Sequence, residues 1–306
     1  MREVTRHEVD EQRIVQALED IGRRAFGRWH GLRYDRLSLT SLAAMGHELL
    51  DHVAASTLED PGLGSARTRT ALRTSAACAF GVLDLGSFPD GDWEISFPLL
   101  NETLSSDEFS LGHAVDQAPT ARTWLDAFAL CVVSGAVWER ERVFGLLLRE
   151  DYAPAIRDGV PYSPLDSRSE PADLAEMDAL CGYLTPSRGH LPRDWPSVTL
   201  CLPDAEERAE AARRLDGAGP LSPDQRLLRV LLENDRPAFE EALAGRLVRY
   251  RESAPADAEP RSLLPVGTIA LAALAVQAHG WEPGVSSGYL PEGLLRVPEG
   301  APGVGV

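Results

Sequence analysis

Residues 127–138 read Ala-Phe-Ala-Leu-Cys-Val-Val-Ser-Gly-Ala-Val-Trp, twelve positions without a charge inside a stretch, 120–151, whose apolar spacing reads most clearly as helix. A helix apolar on every side has to be surrounded by other helices, because a surface helix shows one polar face. The run is too short to cross a bilayer, and Glu-Arg-Glu-Arg follows at 139–142. Within that charged end, Glu139 and Arg142 make an ordinary pair three residues apart, flanked by Arg140 and Glu141.

Working outward, helical periodicity recurs on both sides. In 9–29, Ile14, Leu18, Ile21, Ala25 and Trp29 fall at steps of three and four, with Glu11, Arg13, Glu19, Asp20 and Arg24 between them. Residues 38–58 repeat the pattern with Leu39, Leu42, Gly46, Leu49 and Val53 behind Ser38, a residue that caps helix N-termini. Further helices are predicted over 65–85, 172–184, 204–215, 223–233 and 237–252, the last two joined by Asn-Asp-Arg at 234–236 as a tight hairpin. That hairpin resembles one unit of a tetratricopeptide-like solenoid, but no second copy recurs at a fixed period. Residues 262–281 are again free of charge. Because Pro265, Gly267, Thr268, Gln277 and His279 interrupt them, a buried final helix is expected rather than a membrane span.

Between these helices, 152–171 and 185–203 are rich in turn formers, with 198–202 a candidate strand, and the chain from Pro283 is expected to fray. The expected architecture is mainly α: about nine helices in one packed bundle or an irregular stack of αα-hairpins, with at most one or two short strands. Residues 1–295 would form a single all-helical domain carrying a long acidic loop insertion at 86–119, and 296–306 a flexible tail.

Charge bounds the function. The 306 residues carry a formal net charge of −17, and all thirty basic residues are arginine. Without lysine there is no phosphate-loop lysine, no Schiff base and no serine–lysine pair. Strong acidity also argues against nucleic acid as a partner, since phosphate binding needs clustered cations. The N-terminus, MREVTRHEVDEQR, has no apolar core of a secretory signal, so the cytoplasm is expected. Cys78, Cys131, Cys181 and Cys201 form no paired CxxC unit; Cys78 and Cys131, in apolar helical runs, read as core residues.

Between Arg73 and Arg122 stand eight carboxylates, Asp84, Asp90, Asp92, Glu94, Glu102, Asp107, Glu108 and Asp116, and no arginine or lysine. An uncompensated acidic field of this kind serves solubility or the capture of a basic partner. The segment is broken by Pro89, Gly91, Pro98, Gly112 and Pro119, and only 93–100 is suited to a short strand. A turn at 89–92 presenting Trp93 and its neighbouring carboxylates outward would make an interface anchor. The plainer reading has Trp93 and Phe97 covering the adjacent helix. The candidate partner-binding residues are Asp90, Asp92, Trp93, Glu94, Glu102, Asp107 and Glu108.

Three motifs suggest chemistry and do not complete it. Asp90-Gly91-Asp92-Trp93-Glu94 begins like a calcium loop, yet Ile95 holds the place of the sixth-position glycine and Asn101 that of the bidentate glutamate. His47-Glu48-Leu49-Leu50-Asp51-His52 departs from HExxH, with Asp51 in the fourth place and His52 one step on, so His47 pairs with Asp51 and Glu48 with His52 on different faces. His47 and Asp51 lie opposite the apolar stripe and are expected to face solvent. Gly284-Val285-Ser286-Ser287-Gly288 matches GxSxG, but no histidine follows His279. No metal or cofactor is expected.

Four blocks, Ala-Pro-Thr-Ala-Arg-Thr-Trp-Leu-Asp-Ala-Phe-Ala at 118–129, Gly-Leu-Leu-Leu-Arg-Glu-Asp-Tyr-Ala-Pro-Ala-Ile at 145–156, the hairpin at 227–250 and Ser-Leu-Leu-Pro-Val-Gly-Thr-Ile-Ala-Leu-Ala-Ala-Leu at 262–274, together resemble the immunity protein 49 family. Those are bacterial, mostly actinobacterial, proteins associated with polymorphic toxin systems, and the resemblance extends over about 9–295. It implies a stoichiometric antitoxin that binds a cognate toxin domain and blocks it without turnover; the acidic charge of the chain, read independently, suits a basic toxin. Its motifs are helix-packing patterns, so no functional residue carries over. Two other classes stay open on the residues: a helical scaffold for a different partner, and a metal-dependent hydrolase using the helix of His47, Glu48, Asp51 and His52.

Overall fold

The computed structural model describes residues 2–35, 37–108, 115, 117–139, 143–161, 165–186 and 200–298, with no side chain described for Glu108. The fold is mainly α. In chain order it comprises β1 (Arg2–Val4), α1 (Glu11–Leu18), α2 (Ile21–Tyr34), α3 (Leu39–Ser56), α4 (Ala66–Ser87), β2 (Glu94–Phe97), β3 (Glu102–Ser105), α5 (Ala121–Val133), α6 (Phe144–Leu147), α7 (Ala153–Arg157), α8 (Pro171–Cys181), α9 (Ala205–Gly217), α10 (Pro223–Leu231), α11 (Arg236–Glu252), α12 (Val266–Gln277), β4 (Val285–Ser287) and α13 (Glu292–Leu295). Against the nine helices expected, ten of eight residues or more are present among the described residues, together with three shorter ones.

The two charge-free runs form the middle of the molecule. α5 packs on α12 and on α4, and α4 packs along α3. Within α5, Trp124 and Phe128 are stacked with centroids 5.1 Å apart, and both are fully buried. The Trp124 indole donates to the Leu148 carbonyl at 2.9 Å, so its one polar atom is satisfied inside the core. Trp138 donates to Gln277 Oε1 of α12 at 2.8 Å, tying the end of one uncharged run to the other. The helical stretch from Pro260 to Gln277 is apolar enough by length and composition to cross a membrane, with a mean hydropathy of 1.2, but two-thirds of it is buried inside the protein. It is a core helix by position, since Ile269 to Ala275 are all buried.

Three expected helices are divided, each for a local reason. The stretch 120–151 stops at Val133 because the chain turns through Gly135 at φ +78°, where the Gly135 N–H bonds the Val132 carbonyl and Ser134 N–H that of Leu130. A residue in the left-handed region after the last turn is a common helix terminator, and glycine adopts it without strain. A short 3-10 turn, Ala136–Trp138, follows, and helix resumes at α6, passing through a widened π turn, Leu148–Tyr152, into α7. Residues 140–142, with the expected Glu139–Arg142 pair, lie outside the described residues. The stretch 9–29 breaks between α1 and α2, where Asp20 caps the second helix through its contact with Arg23 N. In 262–281 the first turn is 3-10, Pro260–Leu263, and regular helix begins only after Pro265.

Elsewhere the Ser38 cap read from the sequence holds, and α9 has a cap that was not read there. Ser38 accepts from Ser41 N at 3.1 Å, and Asp204 with Glu207 closes a reciprocal capping box on α9. The hairpin of α10 and α11 turns at Asn234, φ +57°.

The chain beyond Pro283 does not fray as expected. β4 pairs in parallel with β1, setting Arg2 opposite Val285 and Val4 opposite Ser287, and Tyr289 is completely buried. Its hydroxyl accepts the His7 N–H at 2.8 Å, so the two ends of the chain clasp each other. One hydrophobic core extends from Val4 to Leu295. Of the expected tail, 299–306 lie outside the described residues, as do 198 and 199 of the candidate strand, where Leu200 bridges to Leu184 alone.

Two substitutions probe this packing. Leu274→Ala, at a fully buried site on α12, should cost about 2–5 kcal/mol in denaturant unfolding. Gly135→Ala should cost about 1–2 kcal/mol, because a Cβ there meets both an unfavourable φ and Pro298 Cγ at 2.5 Å. A neutral result at either position would remove that contact from the account.

Candidate functional site

The acidic segment is built around a β-hairpin rather than a long loop. β2 pairs antiparallel with β3 in the register Glu94 to Ser105, Ile95 to Leu104, Ser96 to Thr103 and Phe97 to Glu102. Alternation along the strands puts Ile95, Phe97 and Leu104 against α4, all nearly or fully buried. Ile95 reaches the surface of α4 at Gly81, where an added Cβ would stand 2.5 Å from Ile95 Cδ1; the glycine is there to admit it. Leu99 N donates to Thr74 Oγ1 of α4 at 3.0 Å, locking the turn as well.

The charge lies on the opposite face and at the ends of the hairpin. Glu94 stands on the outer face, Asp90, Asp92 and Asp107 flank the strands and are exposed, and Glu102, paired with Phe97, shares the inner face at its edge and is half-buried. None of these five carboxylates is ion-paired among the described residues. The side chain of Glu108 and all of Asp116 lie outside the described residues. Two expectations are corrected. Trp93 is only 4% exposed and packs into the core, because its position next to β2 points it the same way as Ile95 and Phe97; it is not an outward anchor. Asp84 belongs to the interior of α4, where it accepts from Tyr152 Oη at 2.8 Å and burial pushes its carboxyl up to about 6.

The four residues of the His47 helix separate into different roles. Glu48 pairs with Arg24 at 3.2 Å and Arg28 at 2.9 Å, and the buried His52 meets the Ala17 carbonyl through Nδ1 at 3.0 Å. Asp51 does not face solvent as expected: the 3-10 turn before α12 covers it, and it accepts from Arg261 N at 2.8 Å and Arg261 Nη1 at 2.9 Å. No group of three or more His, Cys, Asp or Glu side chains among the described residues is placed to hold a metal ion. In the GxSxG segment, Ser286 sits within β4 and the Ser287 hydroxyl donates to the Val4 carbonyl at 2.7 Å, so the glycine-flanked serines serve the clasp.

A second feature was not singled out by any motif. A cavity of about 440 Å³ opens between α3, α4, α5, α8, α10 and α12. Ala43, Gly46, Ala79, Ala129, Gly267 and Ala270 line it, and their small side chains leave space where larger residues would interlock. Asp126 of α5, Glu176 of α8 and Asp224 of α10 stand in its wall with Arg122. Asp126 is exposed toward this space while protein surrounds it, and burial, opposed by Arg122 and reinforced by Asp173, pushes its carboxyl up to about 6. Glu176 is 6% exposed, and burial pushes it up to about 7. The sequence held one signal: each is a lone carboxylate among residues that the helix buries, Asp126 between Leu125 and Ala127, Glu176 between Ala175 and Met177.

Compared with known protein families, residues 60–294 match the model of Immunity protein 49. The chain belongs to the immunity protein 49 family. No curated protein and no solved structure matches it. Membership in a family of immunity proteins points to a non-enzymatic role, and the match covers the acidic hairpin and the cavity wall except for its α3 side.

The buried carboxylates of this family member give its stability an inverted acid response. Glu176 holds its proton to about 7 in the folded protein against an ordinary 4.5, so the folded state binds more protons than the unfolded chain. That stabilisation is complete below about pH 4 and is lost as pH rises through 7. Glu176→Gln should therefore raise stability by on the order of 1–3 kcal/mol at pH 8 and change little at pH 4.5. Chemical denaturation at the two pH values measures it; equal destabilisation at both would show that Glu176 is not held as a strained acid.

Proposed function

We propose that this protein binds a cognate toxin domain of basic surface charge and neutralises it by stoichiometric contact, with the outer face of the β2–β3 hairpin as the contact surface. The observation that carries the reading is the set of carboxylates Asp90, Asp92, Glu94 and Asp107, exposed and without an ion-pair partner among the described residues, on and beside a hairpin whose other face is anchored in the core, with Glu102 half-buried at its edge. Charges left unpaired on a rigid support repel one another, and a basic partner relieves that repulsion. A rigid hairpin also loses little conformational freedom on binding, so more of the contact energy appears as affinity. Glu108 extends the same acidic stretch in sequence.

Electrostatic attraction acts chiefly on the encounter rate, which sets the test. Reversing Asp90, Asp92 and Glu94 together to arginine should slow association with the cognate toxin domain by about 10-fold or more at low salt, and should flatten the dependence of the rate on ionic strength. Association unchanged in both respects would remove the hairpin from the interface.

A further inference from the structure

The cavity behind the hairpin's supporting helix is apolar along much of its length and acidic at one end. That end gathers Asp126, Glu176 and Asp224, with Asp173 beside them. The cations facing them are already engaged. Arg122 binds Asp173 through Nη2 at 2.5 Å, and Arg246 binds Asp224 at 2.8 Å while lying over the Tyr250 ring at 5.0 Å. α12 contributes no charge here, only Thr268, whose hydroxyl donates to Asp224 at 2.7 Å; on α8 and α10 the neighbouring Gln225 donates to Asp173 at 2.8 Å. Arg261 is held by Asp51, with His47 alongside.

Four carboxylates therefore face two guanidinium groups. Gln225 hydrogen-bonds the Glu176 carboxyl, but among the described residues its Oε2 is buried without a hydrogen-bond partner, and Arg122 Nη2 comes no nearer to it than 3.9 Å. A buried acceptor left unsatisfied costs about 1–3 kcal/mol, so the site is short of one strong donor. The space in front of it suits such a donor on an apolar stem: 440 Å³ lies within the range of ligand-binding cavities, and exposed Arg122 and Gln117 mark where it meets solvent.

We propose that this cavity receives a cationic side chain of the toxin, a guanidinium or ammonium group on an aliphatic stem, with its head bound by Glu176 and Asp126 and its stem against α3 and α12. The inference rests on the toxin-binding reading above and adds the partner's chemistry and a second, deeper contact. Long basic side chains match this division of the cavity, since their methylene stems bury readily while the head keeps polar partners. A cation arriving between Glu176 and Asp126 favours their ionised forms, so binding releases the protons they hold near neutrality. Affinity then rises with pH between about 5.5 and 7.5 and levels off above.

The test is calorimetric titration with the purified toxin domain, at pH 6 and pH 8, in buffers of different ionisation enthalpy. For the native chain we expect net proton release at pH 6 and tighter binding at pH 8. Glu176→Gln and Asp126→Asn should each weaken binding at pH 8 by at least about 30-fold and diminish the proton release. Ala43→Leu, which narrows the apolar part and leaves every charge in place, should weaken binding also, so the conclusion does not depend on how the carboxylate variants fold. Native affinity and native proton release in all three variants would overturn the cavity assignment and leave the hairpin contact standing. Uptake of a free alkylguanidinium with toxin affinity unchanged in the variants would overturn it in favour of a small-molecule site. A native chain that bound no toxin would sink both readings together.

Discussion

Two stretches without a charge, 127–138 and 262–281, have to leave water, and their burial against each other governs where everything else in the chain lies. α5 and α12 supply the shared surface, with Trp124, Phe128, Ile269 and Leu274 among the side chains withdrawn from solvent. Burying a large apolar side chain is worth about 1.5–3 kcal/mol, so a few such residues rival the net stability of a whole domain. With the centre made of α5, α12 and α4, charged residues are driven to the periphery or into ion pairs. The acidic segment follows α4 directly and crosses its outer surface as a hairpin. Its apolar residues take the inner side of the pleat, and Asp92 and Glu94 are left outside.

The same constraint accounts for the cavity. Helices that meet through alanine and glycine approach closely in some places and cannot fill the space in others. Between α3, α5 and α12 the unfilled volume coincides with two carboxylates that the helices carry inward. A carboxylate in low-dielectric surroundings resists ionisation, and the raised values of Asp126 and Glu176 record that cost. Natural proteins keep such groups where they serve a contact or a reaction more often than where they serve stability. The hairpin and the cavity thus express one electrostatic excess at two depths: freely solvated on the hairpin, and held back behind α4.

Much of the fold was legible because apolar periodicity and caps report local chemistry directly. Ser38 opens its helix as read, and the hairpin at 234–236 turns where expected. The breaks were less legible, because a continuous apolar run does not reveal a change of direction: Ser134 and Gly135 lie inside the most helical stretch and still end α5 there. The parallel pairing of β1 with β4 joins residues some 280 positions apart, beyond the reach of any local pattern. At the candidate site, the charge excess of the acidic segment was plain from composition, while the inward turn of Trp93 depended on strand register. Asp126, Glu176 and Asp224 come from three helices, and only tertiary packing brings them to one wall.

On the proposed function, this protein acts by occupying its target and not by transforming it. Titrating a fixed amount of the cognate toxin domain with the purified protein, and assaying residual toxin activity, measures that most directly. Activity should fall linearly and vanish at one equivalent, with the toxin recovered chemically unchanged after separation. Loss of activity at a small fraction of an equivalent, or a covalently altered toxin, would contradict it.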